Sequence, residues 1–195
     1  METDLITLVK EGDFEAVKMR VDSGEDFQSG DFRRKTPLMH AASFNQLQIT
    51  QFLIKKGAQI DRRDKDGLTA MVFAVNEGSA EIVKLLVESG ANVNLTDYDK
   101  KTSPLIIGCQ EDRFACVRQL LFSPEVDRNI CDKDGQTPLI HAVICGHRET
   151  AELLITNGAN VEKVDNFGKT ALNYAIEMND DEGTNNKLIG ILRVN

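Results

Sequence analysis

The sequence has no tryptophan, only 6% aromatic residues and four prolines in 195 residues. A buried core therefore has to be built from Leu, Ile, Val and Ala, which suits thin helical layers better than one large globular centre. No run of about 18 apolar residues occurs, so the sequence predicts no membrane span. Residues 1–4 include two acidic side chains, and no basic segment followed by an apolar one is present, which does not fit a secretory signal.

Cysteine pairs at metal-binding or redox spacing are also missing. The four cysteines are Cys109, Cys116, Cys131 and Cys145, and no two of them form a Cys-x-x-Cys pair. Three of them lie in otherwise apolar stretches, so we interpret them as reduced, mostly structural thiols. Reduced thiols predict a location in the cytoplasm or the nucleus.

Basic residues are fewer than acidic residues in this sequence. The chain has 23 basic and 31 acidic residues, a net charge of −8. This balance disfavours nucleic acids and anionic membranes as partners, because both are polyanions.

What the sequence does have is a repeat. Five threonines are spaced 33, 33, 35 and 33 residues apart, and five aspartates placed five residues before each of them step identically. The threonines are Thr36, Thr69, Thr102, Thr137 and Thr170, and the leading aspartates are Asp31, Asp64, Asp97, Asp132 and Asp165.

The fullest copy of this repeat runs from residue 132 to residue 164. It contains an Asp-x-x-Gly turn, Thr-Pro-Leu from Thr137, Gly146-His147, a Leu-Leu pair at Leu153 and Gly158-Ala159. A 33-residue unit with these motifs resembles the ankyrin repeat. One departure is systematic: the family's His directly after Leu is replaced by Met39, Val72, Ile106, Ile140 and Asn173.

The residues themselves indicate the same unit. A Thr hydroxyl can cap free backbone amides, and Pro at the first helical position loses no hydrogen bond, so a helix is predicted over residues 138–145. Gly146 should end it at positive φ, a second helix should follow over residues 149–156, and Gly158 should end that one. Such a pair cannot bury its own apolar face, so it has to stack on the next copy.

The resemblance implies an all-α fold, an α-solenoid of about six units made of paired antiparallel helices with hairpin-like finger loops. We expect one domain over residues 1–195. Its units are a divergent capping repeat at 1–30, repeats at 31–63, 64–96, 97–131 and 132–164, and a capping repeat at 165–195. The last unit is predicted to contain a polar loop over residues 179–186 and a helix over 188–192. That helix ends close to the terminus, which favours a self-contained protein.

The unit at 97–131 carries two extra residues, which reflect either drift in a surface loop or a local kink or contact site.

No catalytic, cofactor-binding or metal-binding residues are predicted, and no cofactor. His40 and His141 share a column of the repeat with Phe73, Ile107 and Tyr174, so packing explains them better than ligation or catalysis. His147 is expected to bond its own turn. The chain is therefore predicted not to be an enzyme.

The resemblance implies that a partner protein binds at the finger tips and the exposed side of each first helix. The predicted partner-binding residues are Phe32, Arg33, Lys35, Phe44, Lys65, Leu68, Tyr98, Lys101, Lys133, Ile144 and Phe167. Phe32, Tyr98 and Phe167 are either binding anchors or covers for a neighbouring finger.

Charge is segregated along the repeat. The finger stretches 31–35, 62–66, 97–101, 128–134 and 163–169 hold 12 basic and 8 acidic residues, a net +4, which leaves −12 on the rest of the chain. The predicted partner is therefore another protein with an acidic or phosphorylated segment. This chain is itself expected to be a monomer.

Two broader interpretations remain side by side. The chain is either a scaffold, adaptor or inhibitor in its own right, or a regulatory ankyrin segment of a larger signalling enzyme such as a kinase or an acyltransferase. A further hypothesis is that Asn94 is hydroxylated by an oxygenase; the alternative is a structural role for its side chain at the base of a finger.

Overall fold

A computed structural model describes residues 4–178 and 186–194, and every regular element in those residues is an α-helix. The twelve helices are short, seven to nine residues each, and follow one another as six pairs. The first helices of the pairs are α1 (Leu5–Glu11), α3 (Pro37–Ser43), α5 (Ala70–Glu77), α7 (Pro104–Gln110), α9 (Pro138–Ile144) and α11 (Ala171–Glu177). The second helices are α2 (Phe14–Asp22), α4 (Leu47–Lys55), α6 (Ala80–Glu88), α8 (Phe114–Leu121), α10 (Arg148–Thr156) and α12 (Asn186–Val194).

The first helices begin with the predicted hydroxyl caps in most units. The Thr137 hydroxyl accepts a hydrogen bond from the Ile140 amide at 3.2 Å, and Pro138 occupies the first turn. In the long unit the cap is Ser103 and not Thr102, because the extra residue shifts the helix start by one position. Thr69 makes no capping bond, and its buried hydroxyl has no partner in the described structure.

The turn between the two helices of a pair needs one residue in the left-handed region. Gly146 (φ 73°) and Gly78 (φ 81°) provide it as glycines. In two units without that glycine, Asn45 (φ 53°) and Asp112 (φ 50°) take the same conformation, which short polar side chains tolerate better than most. The long unit therefore keeps the turn although its sequence loses the glycine.

The core runs along the stack as one continuous layer. Each first helix contacts the first helices of the neighbouring units, and each second helix contacts the second helices on either side. Leu38, Leu105 and Leu139 are fully or almost fully buried at equivalent places in three units. Since each layer is only two helices thick, a unit buries its apolar face only against its neighbours. The fold is thus an all-α solenoid; the exact bounds of its units stay a prediction.

The five turns that begin at the leading aspartates form one connected row, which we call the finger edge (residues 31–35, 64–68, 97–102, 132–136 and 165–169). Within one turn, Asp132 accepts hydrogen bonds from the Asp134 and Gln136 amides at 3.0 and 2.9 Å. Neighbouring turns are joined by backbone hydrogen bonds of 2.9–3.0 Å, from Lys65 to Arg33, Tyr98 to Asp66, Lys133 to Lys100 and Asn166 to Asp134. These bonds hold the tips at a fixed spacing.

At the C-terminal end, α12 is longer than the predicted helix and buries Leu188 and Leu192 against the stack. The predicted polar loop at 179–186 falls mostly outside the described residues. No helix in the described part of the chain is long and apolar enough to cross a membrane.

Candidate partner-binding surface

Three aromatic side chains stand out on the finger edge. Phe32 is 82% exposed, Phe167 70% and Tyr98 59%. Tyr98 does cover part of a neighbouring finger, since its ring lies 4.3 Å from the Arg63 guanidinium and directly over Gly67. Phe32 and Phe167 are so exposed that neither side chain is buried against a neighbouring finger.

The basic residues of the finger edge are not equivalent. Arg33 is paired with Asp66 of the next finger at 2.6 Å, and Lys35 is half-buried with its ammonium 4.1 Å from the centre of the Phe73 ring. Lys65, Lys101 and Lys133 are exposed and form no ion pair with any described residue. Arg34 and Lys100 on the same edge are exposed as well and form no ion pair with any described residue, so the charge available to a partner lies on these five basic side chains.

The remaining predicted residues divide by burial. Phe44 is 49% exposed at the end of α3. Leu68 and Ile144 are half-buried and pack against the hydrophobic core, so only part of each side chain is left for contact with a partner. A binding role for any of the eleven residues stays a prediction.

The shared histidine column has a function that the sequence did not suggest. His40 Nε2 lies 3.1 Å from Asp31 Oδ2, and His141 Nε2 lies 2.9 Å from Asp132 Oδ2. Tyr174 donates its hydroxyl to the leading aspartate of its own unit at 2.6 Å. Because an ionised carboxylate can only accept, each imidazole donates from Nε2. The column thus ties the first helix to its finger, whereas the sequence predicts packing alone.

The pKa values show how the Asp31–His40 pair is charged. Burial alone would raise the pKa of Asp31, but hydrogen bonds from the Lys35 amide, His40 and the Arg33 amide outweigh it and hold the pKa below its ordinary value. Burial lowers the pKa of His40, and the carboxylate compensates only in part, while Lys10 and Lys35 lower it further. At neutral pH the pair is therefore a carboxylate and a neutral imidazole.

We predict that His40 makes the stack acid-sensitive. Because the folded state disfavours the imidazolium, the unfolded chain binds more protons, so the free energy of unfolding falls as pH drops through the ordinary His value of about 6.5 and below. Asp31 adds a separate loss at lower pH, below its usual range, as its depressed folded pKa is crossed. Urea midpoints between pH 8 and pH 5 should decline less in His40→Phe, which copies the residue found in this column at Phe73. An unchanged pH slope in this variant would contradict the assignment.

Three of the four thiols are poor nucleophiles. Cys109 and Cys116 are buried, and burial raises the pKa of Cys116 to about 11 and that of Cys109 further. Cys145 is exposed, but partial burial and Glu111 raise its pKa as well.

The expectation that His147 bonds its own turn is wrong, since its Nδ1 lies 2.8 Å from the Cys109 carbonyl of the preceding unit. Among the described residues, no three His, Cys, Asp or Glu side chains converge as metal ligands.

Asn94 links two neighbouring units at the base of the fingers. Its amide donates to the Glu125 carbonyl at 2.8 Å, and its carbonyl accepts from the Asp127 amide at 2.9 Å. This is the structural role expected for it. Hydroxylation of Asn94 stays a prediction and would require these bonds to open or to tolerate the added oxygen.

Comparison with known proteins agrees with this architecture. The family model described as ankyrin repeats (3 copies) matches residues 5–97 and 101–186. The chain is 25% identical over 187 residues to the ankyrin repeat protein YahD of Escherichia coli (strain K12), covering 93% of this chain and 92% of that protein. It is 30% identical over 148 residues to ankyrin repeat, SAM and basic leucine zipper domain-containing protein 1 of Dasypus novemcinctus, covering 76% of this chain but only 25% of that protein.

A solved structure is similar over almost the whole chain. It is a chain from the complex of the predatory endopeptidase Bd0816 of Bdellovibrio bacteriovorus with the immunity protein Bd3460, with a TM-score of 0.83 and 26% identity. The match covers 96% of this chain and 97% of the other. With the repeat, the helix pairs and the family match in agreement, this chain belongs to the ankyrin repeat family.

Proposed function

We propose that the chain is a protein-binding module, a scaffold, adaptor or inhibitor without catalytic activity, that holds its partner along the finger edge and the exposed ends of the first helices. The observation that carries this proposal is the exposure of Phe32 and Phe167 on turns that are fixed to their neighbours or to the first helix by hydrogen bonds. Exposed aromatic side chains on a rigid frame are typical anchors of protein interfaces, because little conformational entropy is lost when they are buried.

The partner segment is acidic or phosphorylated and binds a monomer of this chain. Lys65, Lys101 and Lys133 present unpaired positive charge on an otherwise acidic protein, which attracts anionic segments to this edge and speeds association. Four free thiols, two of them buried, support a reducing compartment such as the cytoplasm or the nucleus.

An inhibitory role has one specific support. The similar solved chain comes from a complex between an endopeptidase and an immunity protein, so a chain of this shape is part of a protein assembly there. The second candidate function is a regulatory segment of a larger signalling enzyme. The relative of which this chain spans only a quarter supports a segment of a larger protein, and the signalling enzyme is the further part of this proposal.

We predict that replacing the three finger aromatics together weakens partner binding by about a hundredfold or more, since each buried anchor contributes on the order of 1–2 kcal/mol. The partner is first captured from the native cell with the wild-type chain, and its affinity is then measured against Phe32→Ala/Tyr98→Ala/Phe167→Ala. The matched control is Met19→Ala/Phe122→Ala, which removes two equally exposed apolar side chains, 68% and 72%, away from the finger edge.

Charge reversal tests the second half of the proposal. Lys65→Glu/Lys101→Glu/Lys133→Glu should slow association while leaving the urea midpoint close to that of the wild type, because none of the three lysines has an ion-pair partner to lose. Unchanged affinity in both sets of variants would place the binding site elsewhere.

A further inference from the structure

A second surface lies between α2 and α4 and shares no residue with the finger edge. The two helices enclose an open groove of about 550 Å³, within the range of about 300–1,000 Å³ typical of ligand sites. Six of its lining residues matter here: Phe14, Lys18, Asp22, Phe52, Lys55 and Lys56.

The aromatic pair provides an apolar base. The Phe14 and Phe52 rings meet edge to face with centroids 5.7 Å apart, and both side chains pack against the hydrophobic core while staying half-exposed. Edge-to-face geometry fixes the two rings relative to each other. An apolar side chain of a partner can therefore bury itself against a preformed base.

The charged residues around the rings are predominantly basic. Asp22 is shared by Lys56 at 2.6 Å and Lys18 at 3.4 Å, and Lys56 also lies 5.6 Å from the centre of the Phe52 ring. Lys55 is exposed and forms no ion pair with a described residue. The groove thus carries a net charge of +2 from three lysines and one aspartate, on a chain whose net charge is −8.

We propose that this groove binds an acidic segment of a partner protein, with one apolar side chain against Phe14 and Phe52 and flanking carboxylates or phosphates on Lys18 and Lys55. The rest of the acidic chain repels such a segment, so the local field steers it to the groove. The site is additional to the finger edge and gives the chain two separate docking surfaces. A partner can then bridge them, or two partners can bind at once.

The chain contains a close control for the lysines. Lys84 lies two 33-residue units after Lys18, in the same column of the second helices, and it likewise pairs with the acidic residue four positions later, at 3.8 Å to Glu88. It does not line the α2–α4 groove. Lys84→Glu therefore reproduces, outside the site, the change of charge and the loss of an i,i+4 pair that Lys18→Glu causes.

The experiment is fluorescence anisotropy with the full chain and fluorescein-labelled peptides that place glutamates on both sides of one central Leu, Phe or Trp. Matching peptides carry Lys in place of Glu, or Ala in place of the central residue. We expect the Glu peptides to bind, the Lys peptides and the Ala peptides to bind more weakly, and Lys18→Glu/Lys55→Glu to weaken Glu-peptide binding by about tenfold. Lys84→Glu should bind like the wild type.

Three results would overturn the proposal. Glu peptides that bind no better than their Lys counterparts would show that the groove has no preference for acidic segments. Equal effects of Lys18→Glu alone and Lys84→Glu would show a general charge effect. Binding to phosphatidylcholine vesicles that contain phosphatidylserine, lost in Lys18→Glu/Lys55→Glu, with no peptide binding, would make the groove a membrane contact. Peptide binding that is lost in Phe32→Ala/Tyr98→Ala/Phe167→Ala but kept in Lys18→Glu/Lys55→Glu would place the acidic segment on the finger edge alone, so failure of this proposal is distinguishable from failure at the finger edge.

Discussion

Leu105→Ala is expected to lower the free energy of unfolding by about 3–5 kcal/mol, the upper part of the range for leucines removed from a packed core. Leu105 is fully buried in α7, and α7 packs against α5 on one side and α9 on the other. The cavity therefore weakens two interfaces between units. In a layer only two helices thick, few neighbouring side chains can move into that cavity. Urea unfolding followed by far-UV circular dichroism measures the loss.

The control for this variant is Leu47→Ala. Leu47 begins α4 and is 42% exposed, so the same chemical change should cost less than about 1 kcal/mol there. Similar losses in the two variants would mean that Leu105 is not at the centre of a packed interface.

Gly67→Ala is expected to be more damaging than Gly57→Ala, although the two glycines have the same φ of 87°. Both substitutions force alanine into the left-handed region at a cost of about 1–2 kcal/mol. A Cβ on Gly67 would also lie 2.9 Å from both the backbone nitrogen and the ring of Tyr98, whereas nothing lies within 4 Å of a Cβ on Gly57. Tyr98 must then move, which strains the bond from its amide to the Asp66 carbonyl.

The difference between the two glycine variants isolates the contact between fingers. We expect Gly67→Ala to cost at least about 1 kcal/mol more than Gly57→Ala, the net contribution of one hydrogen bond, in the same urea experiment. Equal losses would show that the fingers do not support each other.

The fold could be predicted from the sequence because the repeat encodes it several times over. A capping threonine before Pro138 and a glycine at position 146 each fix one helix boundary by local chemistry, and the structure confirms both to within about one residue. Where the unit at 97–131 departs from the repeat, local chemistry alone does not predict which residue caps the helix or which one takes the left-handed turn conformation. The cap moved to Ser103, and Asp112 took the conformation that glycine has elsewhere.

The binding surface was harder to predict, because charge counts do not show which charges are already paired. The sequence predicts Arg33 to be available to a partner, yet its guanidinium bonds Asp66, which lies 33 residues away in sequence and directly alongside in the stack. The same limit applies to His40 and Asp31. Their constant separation of nine residues, which Asp132 and His141 share, was visible in the sequence, but the side-chain direction that makes it a hydrogen bond was not.

The groove between α2 and α4 left no mark on the repeat pattern. Phe14 and Phe52 read as ordinary apolar positions of two second helices, and only the stacking of the helices places them edge to face with lysines around them. Surfaces formed between units depend on the angle and spacing of the stack, which a single sequence does not specify.

The central claim is that each unit is stable only because its neighbours are folded. Amide hydrogen exchange of the wild type and Leu105→Ala, read helix by helix by mass spectrometry, tests it most directly. We predict that protection falls most in α7 and α8, less in α5, α6, α9 and α10, and least in α1 and α2, at the far end of the stack. A uniform loss across every helix, as a single cooperative core would give, or a loss confined to α7 and α8 alone, would contradict the account.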